Sequence, residues 1–442
     1  MTPNRRHFLA ASAATLAATA APAAEPEKPA APPLLRVKPP LNPEKPRRRL
    51  AVITSVFRFL SHSYHIAGRF LNGYLRAGKM HYPDWHIASM YVDQPKDPGD
   101  LSRDYSKDYG FALHRDIAGA LTLGGDKLAV DGVLLICEHG DYPRNERGQI
   151  LYPRYEMYQQ VVDVFRKSGR SVPVFVDKHL SYDRKRGFEM VETARKLGFG
   201  LMAGSSLPVT WRRPELELPI GVNIREALLA GTSNSEVYGI HSLEALQTMV
   251  ERRRRGQQGV RSVQCLSGDA VWKAGDAGQW SRELLDHAVG RSHSRNCGDI
   301  RRNCRVHSET YGKRTFPGPY AFLIEYRDGL RAAVLQLQGH VGDTTFAARI
   351  EGEKRPVSTL FLLPPPPGAA FLEAQASKIE VFLEAGRPPY PVQRTLLTTG
   401  ILDVALESRF RDGRRLETPE LDVSYDPPKD SGFMRGEYAA PA

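Results

Sequence analysis

The stretch SVPVFVDKHLSYDRKRGFEMVETARKLG, residues 171–198, decides the fold. Its first part, 172–176, is a short apolar run with the composition of a buried strand. The run stops abruptly at Asp177, Lys178 and His179, and a helical pattern follows over 183–197. A strand followed at once by a helix is a repeating unit of parallel sheets. The order places Lys178 at the carboxyl end of a strand, where open α/β sheets bind their ligands. A lysine there can transfer protons rather than serve solubility.

The same alternation extends outward in both directions. Residues 50–56 read as a first strand, and 61–77 as a helix with Ile66, Phe70, Leu71 and Leu75 on one face. A second strand, 86–92, ends at Asp93; a helix over 108–122, an apolar strand over 130–137 and a helix over 155–167 follow. GFGLMAGSS supplies one more short strand after residue 198. Strands and helices at this spacing predict βαβ units and a parallel sheet. From about residue 208 the texture changes. Strand-like runs follow one another, as in GVNIREALLA, GVRSVQCLSG and STLFLL, and 322–326 and 332–337 form a hairpin through Asp328-Gly329. The helices of this half are one from His241 and a late one over 398–410, with a proline run at 364–367 crossing the surface. The expectation is an α/β protein. A Rossmann-like parallel sheet occupies 48–207, and an α+β domain with a largely antiparallel open sheet occupies 208–425, followed by a tail at 426–442.

Length and charge agree with this. The 442 residues suit about two domains. A formal net charge of +11 invites acidic partners, but the basic runs lack the interleaved aromatics of a nucleic-acid groove. No nucleic-acid partner is expected, and the run 252–255 reads as the exposed basic end of a helix. Cys137 and Cys265 read as core residues; Cys297 and Cys304, in RNCGDIRRNC, suit a disulfide if the compartment is oxidising. The N-terminus, with Arg5-Arg6, an alanine-rich segment and Ala21-Pro22-Ala23, resembles a twin-arginine signal peptide over 1–24. That implies export to the periplasm or cell envelope. The apolar run is too short and weak for a stable membrane span, and the proline-rich 25–47 reads as a disordered linker.

A parallel nucleotide-binding half followed by an antiparallel α+β half is the layout of the Gfo/Idh/MocA oxidoreductases, and the chain resembles them over roughly 50–420. VFVDKHLSYDRKRGFEMVETARKLGFGLMAGSS is similar to that family's E-K-P strand–turn–helix. DGVLLICEHGDY resembles its preceding strand and loop; EVYGIHSLEALQTM with VRSVQCLSG resembles its substrate-side helix and first sheet strand; TGILDVALESRFRDGRRLETPEL resembles its C-terminal helix. The resemblance implies a tightly held NAD or NADP and a sugar, polyol or related glycan as substrate. It matches Lys178 to the lysine beside the substrate hydroxyl, His241 to the helix histidine, and Asp93 to the acidic residue that holds a ribose. It also implies a homo-oligomer through the open face of the C-terminal sheet. Where the family has an aspartate one turn before the histidine, this chain has Val237, with Glu236 beside it. The first turn departs further. It reads TSVFRFLSHSYHIAGRF, with no glycine before Gly68 and with Phe57, Arg58 and Phe59 where dinucleotide binders keep glycines. Either the cofactor binds in altered form, with Arg58 on phosphate, or it does not bind.

The strand ends themselves are rich in chemistry. After the first strand come Ser61, His62 and His65; after Cys137 come Glu138, His139 and Asp141; after Val176 come Asp177, Lys178 and His179. A right-handed βαβ array brings these ends to one rim. The plain alternative for each is a surface or capping polar residue. Lys178 and His241 are the catalytic candidates. Arg58, Ser61, His62, Asp93, Glu138 and His139 are candidates for the cofactor, and Asp141, His179 and Tyr155 for the substrate. Tyr155, with Tyr152 and Arg154 in GQILYPRYEMY, suits stacking on a carbohydrate, or plain packing of its loop. Three uses stay open. One is nicotinamide hydride transfer with Lys178 taking the hydroxyl proton and His241 orienting the substrate. Another is a catalytically silent sugar-binding member. The third is a metal-dependent lyase or hydrolase built on His62, His65 and His139.

Overall fold

The computed structural model describes residues 47–436 except Ala77 and Arg255. The signal-peptide reading of 1–24, the linker up to 46 and residues 437–442 of the tail lie outside the described residues.

Six parallel strands form the first sheet: β1 (Arg48–Thr54), β2 (Trp85–Val92), β3 (Ala112–His114), β4 (Gly132–Ile136), β5 (Val174–Asp177) and β6 (Leu201–Gly204). Their order is β3-β2-β1-β4-β5-β6, that of a doubly wound dinucleotide-binding sheet. The strands read as continuous apolar runs because both faces are covered. Ala51, Ile53, Val133, Leu135, Val174 and Val176 enter one core, and Leu50, Val52, Leu134, Ile136 and Phe175 the other. Helices α1 (His62–Asn72), α2 (Ser102–Tyr109), α3 (Ile117–Thr122), α4 (Arg154–Ser168) and α5 (Arg184–Leu197) connect them. The helix expected over 108–122 is two helices with strand β3 between them. Gly110, at φ +77°, closes α2, and 112–114 then joins the sheet edge.

The second sheet has eight strands: β7 (Trp211–Arg213), β8 (Ile224–Gly231), β9 (Val260–Ser267), β10 (Tyr320–Tyr326), β11 (Arg331–Gln336), β12 (Thr344–Ile350), β13 (Val357–Leu362) and β14 (Leu416–Glu417). Its order is β14-β9-β10-β11-β8-β12-β13-β7, antiparallel except for the β8–β11 pair. The expected hairpin is β10–β11. Helices α6 (Gly239–Val250), α7 (Asp269–Asp276), α8 (Arg282–Val289), α9 (Ile300–Cys304), α10 (Phe371–Ala385) and α11 (Val392–Phe410) complete this half.

The second sheet is open, as expected, and one face is covered at its centre: Val271, Trp280, Leu284 and Ala288 of the α7–α8 region pack on Leu228, Ala230, Leu335 and Ala347. Helix α10 crosses to the first sheet, where Leu372, Ile379, Phe382 and Leu383 share a core with Leu50 and Phe70. The run from Arg252 is not an exposed helix end. Arg252 and Arg253 are buried and reach Glu217 at 3.0 Å and Asp328 at 2.6 Å. Cys297 and Cys304 are free thiols, the first exposed and the second buried as the last residue of α9. Among the described residues no helix is long and apolar enough to cross a membrane.

Candidate functional site

The order of the first sheet reverses between β1 and β4, the point where such sheets open a crevice for ligands. The residues that leave β1, β4 and β5 converge there. Lys178 follows β5 and is 2% exposed. Its Nζ donates to Glu138 Oε1 at 2.8 Å and to the Val237 carbonyl at 3.2 Å. The other Glu138 oxygen accepts from Arg154 at 2.5 Å. Burial alone would raise the Glu138 carboxyl, but the Lys178 and Arg154 charges overcome it and hold it well below the usual carboxylate range. The centre of the site is therefore a buried ionised triad.

Two backbone positions mark the same spot. Lys178, at φ +59°, and His139, at φ +68°, lie in the left-handed region without being glycine. Each costs on the order of 1–3 kcal/mol, and such residues cluster at functional sites. Gly204 at the end of β6 makes room for this. Its backbone bridges to Lys178, and a Cβ there would lie 2.8 Å from Glu244 Oε2.

Histidines ring the triad. His62, in the first turn of α1, places Nδ1 2.6 Å from Asp177 Oδ2, and its ring meets that of His139 at 5.1 Å, edge to face. Burial, with the His62 charge next, lowers the His139 imidazole to about 4. His179 is buried, its Nδ1 has no hydrogen-bond partner among the described residues, and burial holds it well below its ordinary value. His241, in the first turn of α6, is half-buried and pairs Nδ1 with Ser205 Oγ at 2.6 Å. Burial and the Lys178 ammonium hold it in the neutral form. Glu236 is buried; among the described residues its Oε2 has no hydrogen bond and faces Arg144 at 3.9 Å, and burial pushes its carboxyl up to about 7.

The sequence candidates divide accordingly. Lys178, His241, Glu138, His139, His62 and His179 meet at the strand ends. Tyr155 does not: it lies on α4 and donates to Glu189 on α5. Asp141 is exposed, and its backbone is tied to the Gln94 side chain by two bonds of 2.9 Å. His65 is buried beside Tyr64, and burial lowers it to about 4. Among the described residues no three His, Cys, Asp or Glu side chains are grouped to hold a metal. Asp177, Arg154, Ser205 and Glu236 had no assigned role in the centre. Asp177 and Ser205 stand at strand ends, the signal that found the others. Arg154 and Glu236 reach the centre only through tertiary packing.

The dinucleotide seat is filled by the chain itself. Phe57 is fully buried and packs edge-on against Tyr105 at 5.2 Å. Arg58 is paired with Asp97 at 3.3 Å, and Ser61 caps α1 by accepting from the Tyr64 amide. Both Asp93 oxygens accept from tyrosines, Tyr91 at 2.9 Å and Tyr142 at 2.7 Å. The loops after β1, β2 and β4 are stitched together by Gln94 N–Ser55 O at 2.9 Å, Leu101 N–Phe57 O at 2.8 Å and Ser55 Oγ–Glu138 O at 2.8 Å. These residues do not fit a pyrophosphate in its usual place. A cleft of about 410 Å³ lies off the centre, by the start of α5 and the second half of α11, and its arginines are paired with its carboxylates, Arg184 to Asp403 at 2.7 Å and Arg147 to Asp403 at 3.4 Å.

No family model and no curated protein matches the sequence. Solved structures do match in fold. The chain is similar to GenD2 from gentamicin A biosynthesis in complex with NAD, at TM-score 0.52 and 13% identity, over 84% of this chain and 96% of that one. It is similar to a probable dehydrogenase from Thermotoga maritima, at TM-score 0.51 and 11% identity, over 84% and 99%. It is also similar to an oxidoreductase from Agrobacterium radiobacter in complex with NAD+, L-tartaric acid and magnesium, at TM-score 0.50 and 12% identity, over 84% and 98%. The chain thus has the two-domain fold of the Gfo/Idh/MocA dehydrogenases.

Proposed function

We propose that this protein is an oxidoreductase acting on a hydroxyl of a small sugar, polyol or related glycan, exported by the twin-arginine route to the periplasm or cell envelope. The observation that carries the reading is Lys178. It stands where the family motif has its lysine, buried, strained and locked to Glu138, at the switch point of the sheet. A residue used only for solubility has no reason to be held there at such cost. An ammonium fixed beside a ligand oxygen favours its negative form, and neutral His241 can donate to or accept from a neighbouring hydroxyl. Glu236, poised near neutrality, can exchange protons with the interior of the site.

The reading calls for NAD or NADP. GenD2 and the Agrobacterium radiobacter protein are complexes with NAD and NAD+, which supports the choice. The filled turn at Phe57 favours a second reading, a redox-silent sugar-binding member of the same fold. One experiment separates them. Protein purified after native export is assayed for bound nicotinamide, and its melting is followed with added NAD and NADP. The oxidoreductase reading expects bound cofactor or a stabilisation of about 2.7 kcal/mol at a hundredfold excess over the dissociation constant. Neither cofactor nor stabilisation, with a sugar or polyol still raising the melting point, leaves the binding reading in its place.

A further inference from the structure

The proton acceptor of this site is not the lysine. Lys178 is an ammonium already engaged by the Glu138 carboxylate at 2.8 Å and the Val237 carbonyl at 3.2 Å. To accept a proton it would first have to lose one, leaving Glu138 without a buried partner. His62 is placed differently. Its Nδ1 is 2.6 Å from Asp177 Oδ2, while Asp177 is 2% exposed and His62 21% exposed at the side chain. A carboxylate accepts hydrogen bonds and cannot donate them, so when His62 carries a single ring proton Asp177 fixes it on Nδ1. That leaves Nε2 as a bare acceptor, and it has no partner among the described residues. The charged and titratable groups that interact with the ring are Asp177, His139, His65, Glu138 and His241, and Lys178 is bonded to Glu138. His65, His139 and His241 are held neutral, so none competes as a cation.

We propose that His62, oriented by Asp177, takes the proton of the ligand hydroxyl, and that Lys178 remains a fixed positive charge. The proposal rests on the reading of the centre as a hydroxyl-ligand site. The O–H bond of the ligand breaks, its proton passes to His62 Nε2, and the electron pair stays on the ligand oxygen in the field of the Lys178 ammonium. The imidazolium that forms is held by the Asp177 carboxylate. This arrangement also explains how the chain manages without an aspartate at Val237: the carboxylate–imidazole pair is supplied by β5 and α1 instead of by α6.

The test reads the ring itself. Ring-nitrogen NMR on the full chain, with the His62 signal assigned through His62→Gln, is expected to show the Nδ1–H tautomer. Asp177→Asn should shift it towards Nε2–H and slow carbethoxylation of His62 by diethyl pyrocarbonate about tenfold, while Asp177→Glu restores both. An Nε2–H tautomer in the unaltered protein overturns the proposal, and that reading stands even if Asp177→Asn fails to fold. Unchanged tautomer and reactivity in a folded Asp177→Asn overturn it as well. With myo-inositol and D-glucose as probes and NAD or NADP present, His62→Gln should lower turnover by about a hundredfold or more; wild-type turnover in that variant overturns the proposal. An unaltered protein that turns over neither probe counts against the oxidoreductase reading alone, because the tautomer is measured without substrate.

Discussion

At the residue scale the site is a set of buried charges that are stable only together. Glu138 compensates both Lys178 and Arg154, each almost fully buried. Glu138→Gln leaves two cations in the interior with one neutral partner, and chemical denaturation should show a loss of about 3–5 kcal/mol. Glu236 behaves in the opposite sense. Its folded carboxyl is raised to about 7, so between 4.5 and 7 the unfolded chain ionises it while the folded chain does not. Stability is therefore lost as pH rises through that window, and the loss is complete above it. Glu236→Gln cannot ionise. Relative to the unaltered protein it should be about 1–3 kcal/mol more stable at pH 8 than at pH 5, measured by denaturant midpoints at the two values. A variant with the same relative stability at both would show that Glu236 is ionised at no cost.

At the element scale the turn between β1 and α1 decides what the sheet can bind. In dinucleotide binders that turn is made of backbone; here it is made of side chains. Phe57 is part of the core that includes Leu50, Phe70 and Phe111. Phe57→Ala should cost about 3–5 kcal/mol in thermal or chemical unfolding. A near-neutral outcome would mean that the turn is loose enough to open for a cofactor. The elements also show what the sequence reveals and what it hides. Strand β5 and helix α5 were readable because their signals are local: an apolar run, Asp183 accepting from the Lys185 and Arg186 amides, and Gly198 in the left-handed region. Asp177 was visible as a strand end, but its bond to His62 spans 115 residues and no local pattern records it. Helix α10 went unread because its apolar side packs on a sheet formed far upstream. Arg252 and Arg253 looked solvated because Glu217 and Asp328, which neutralise them, lie on other segments.

At the scale of the whole molecule, α11 ties the two sheets together. Thr395 Oγ1 donates to the Ala203 carbonyl of β6 at 3.0 Å, Thr399 Oγ1 accepts from the Leu180 amide at 3.2 Å, and Arg394 pairs with Glu251 at 2.6 Å, both fully buried. The centre is thereby set between a sheet that supplies Glu138, Asp177 and Lys178 and a helix, α6, that supplies His241. The cover of α7 and α8 over the second sheet has its own consequence. Leu284→Asp should lift α8 and expose Leu228, Ala230, Leu335 and Ala347, giving concentration-dependent association in light scattering. The same mass as the unaltered chain at every concentration would show that the cover is not needed. The central claim is that the strand ends around Lys178 are a ligand site for a hydroxylated small molecule. It is tested most directly by thermal shift of the full chain against sugars and polyols, with Lys178→Met in parallel. A rise in melting temperature with at least one such ligand, lost in a folded Lys178→Met, is the predicted result. No rise with any of them, or an undiminished rise in Lys178→Met, would contradict it.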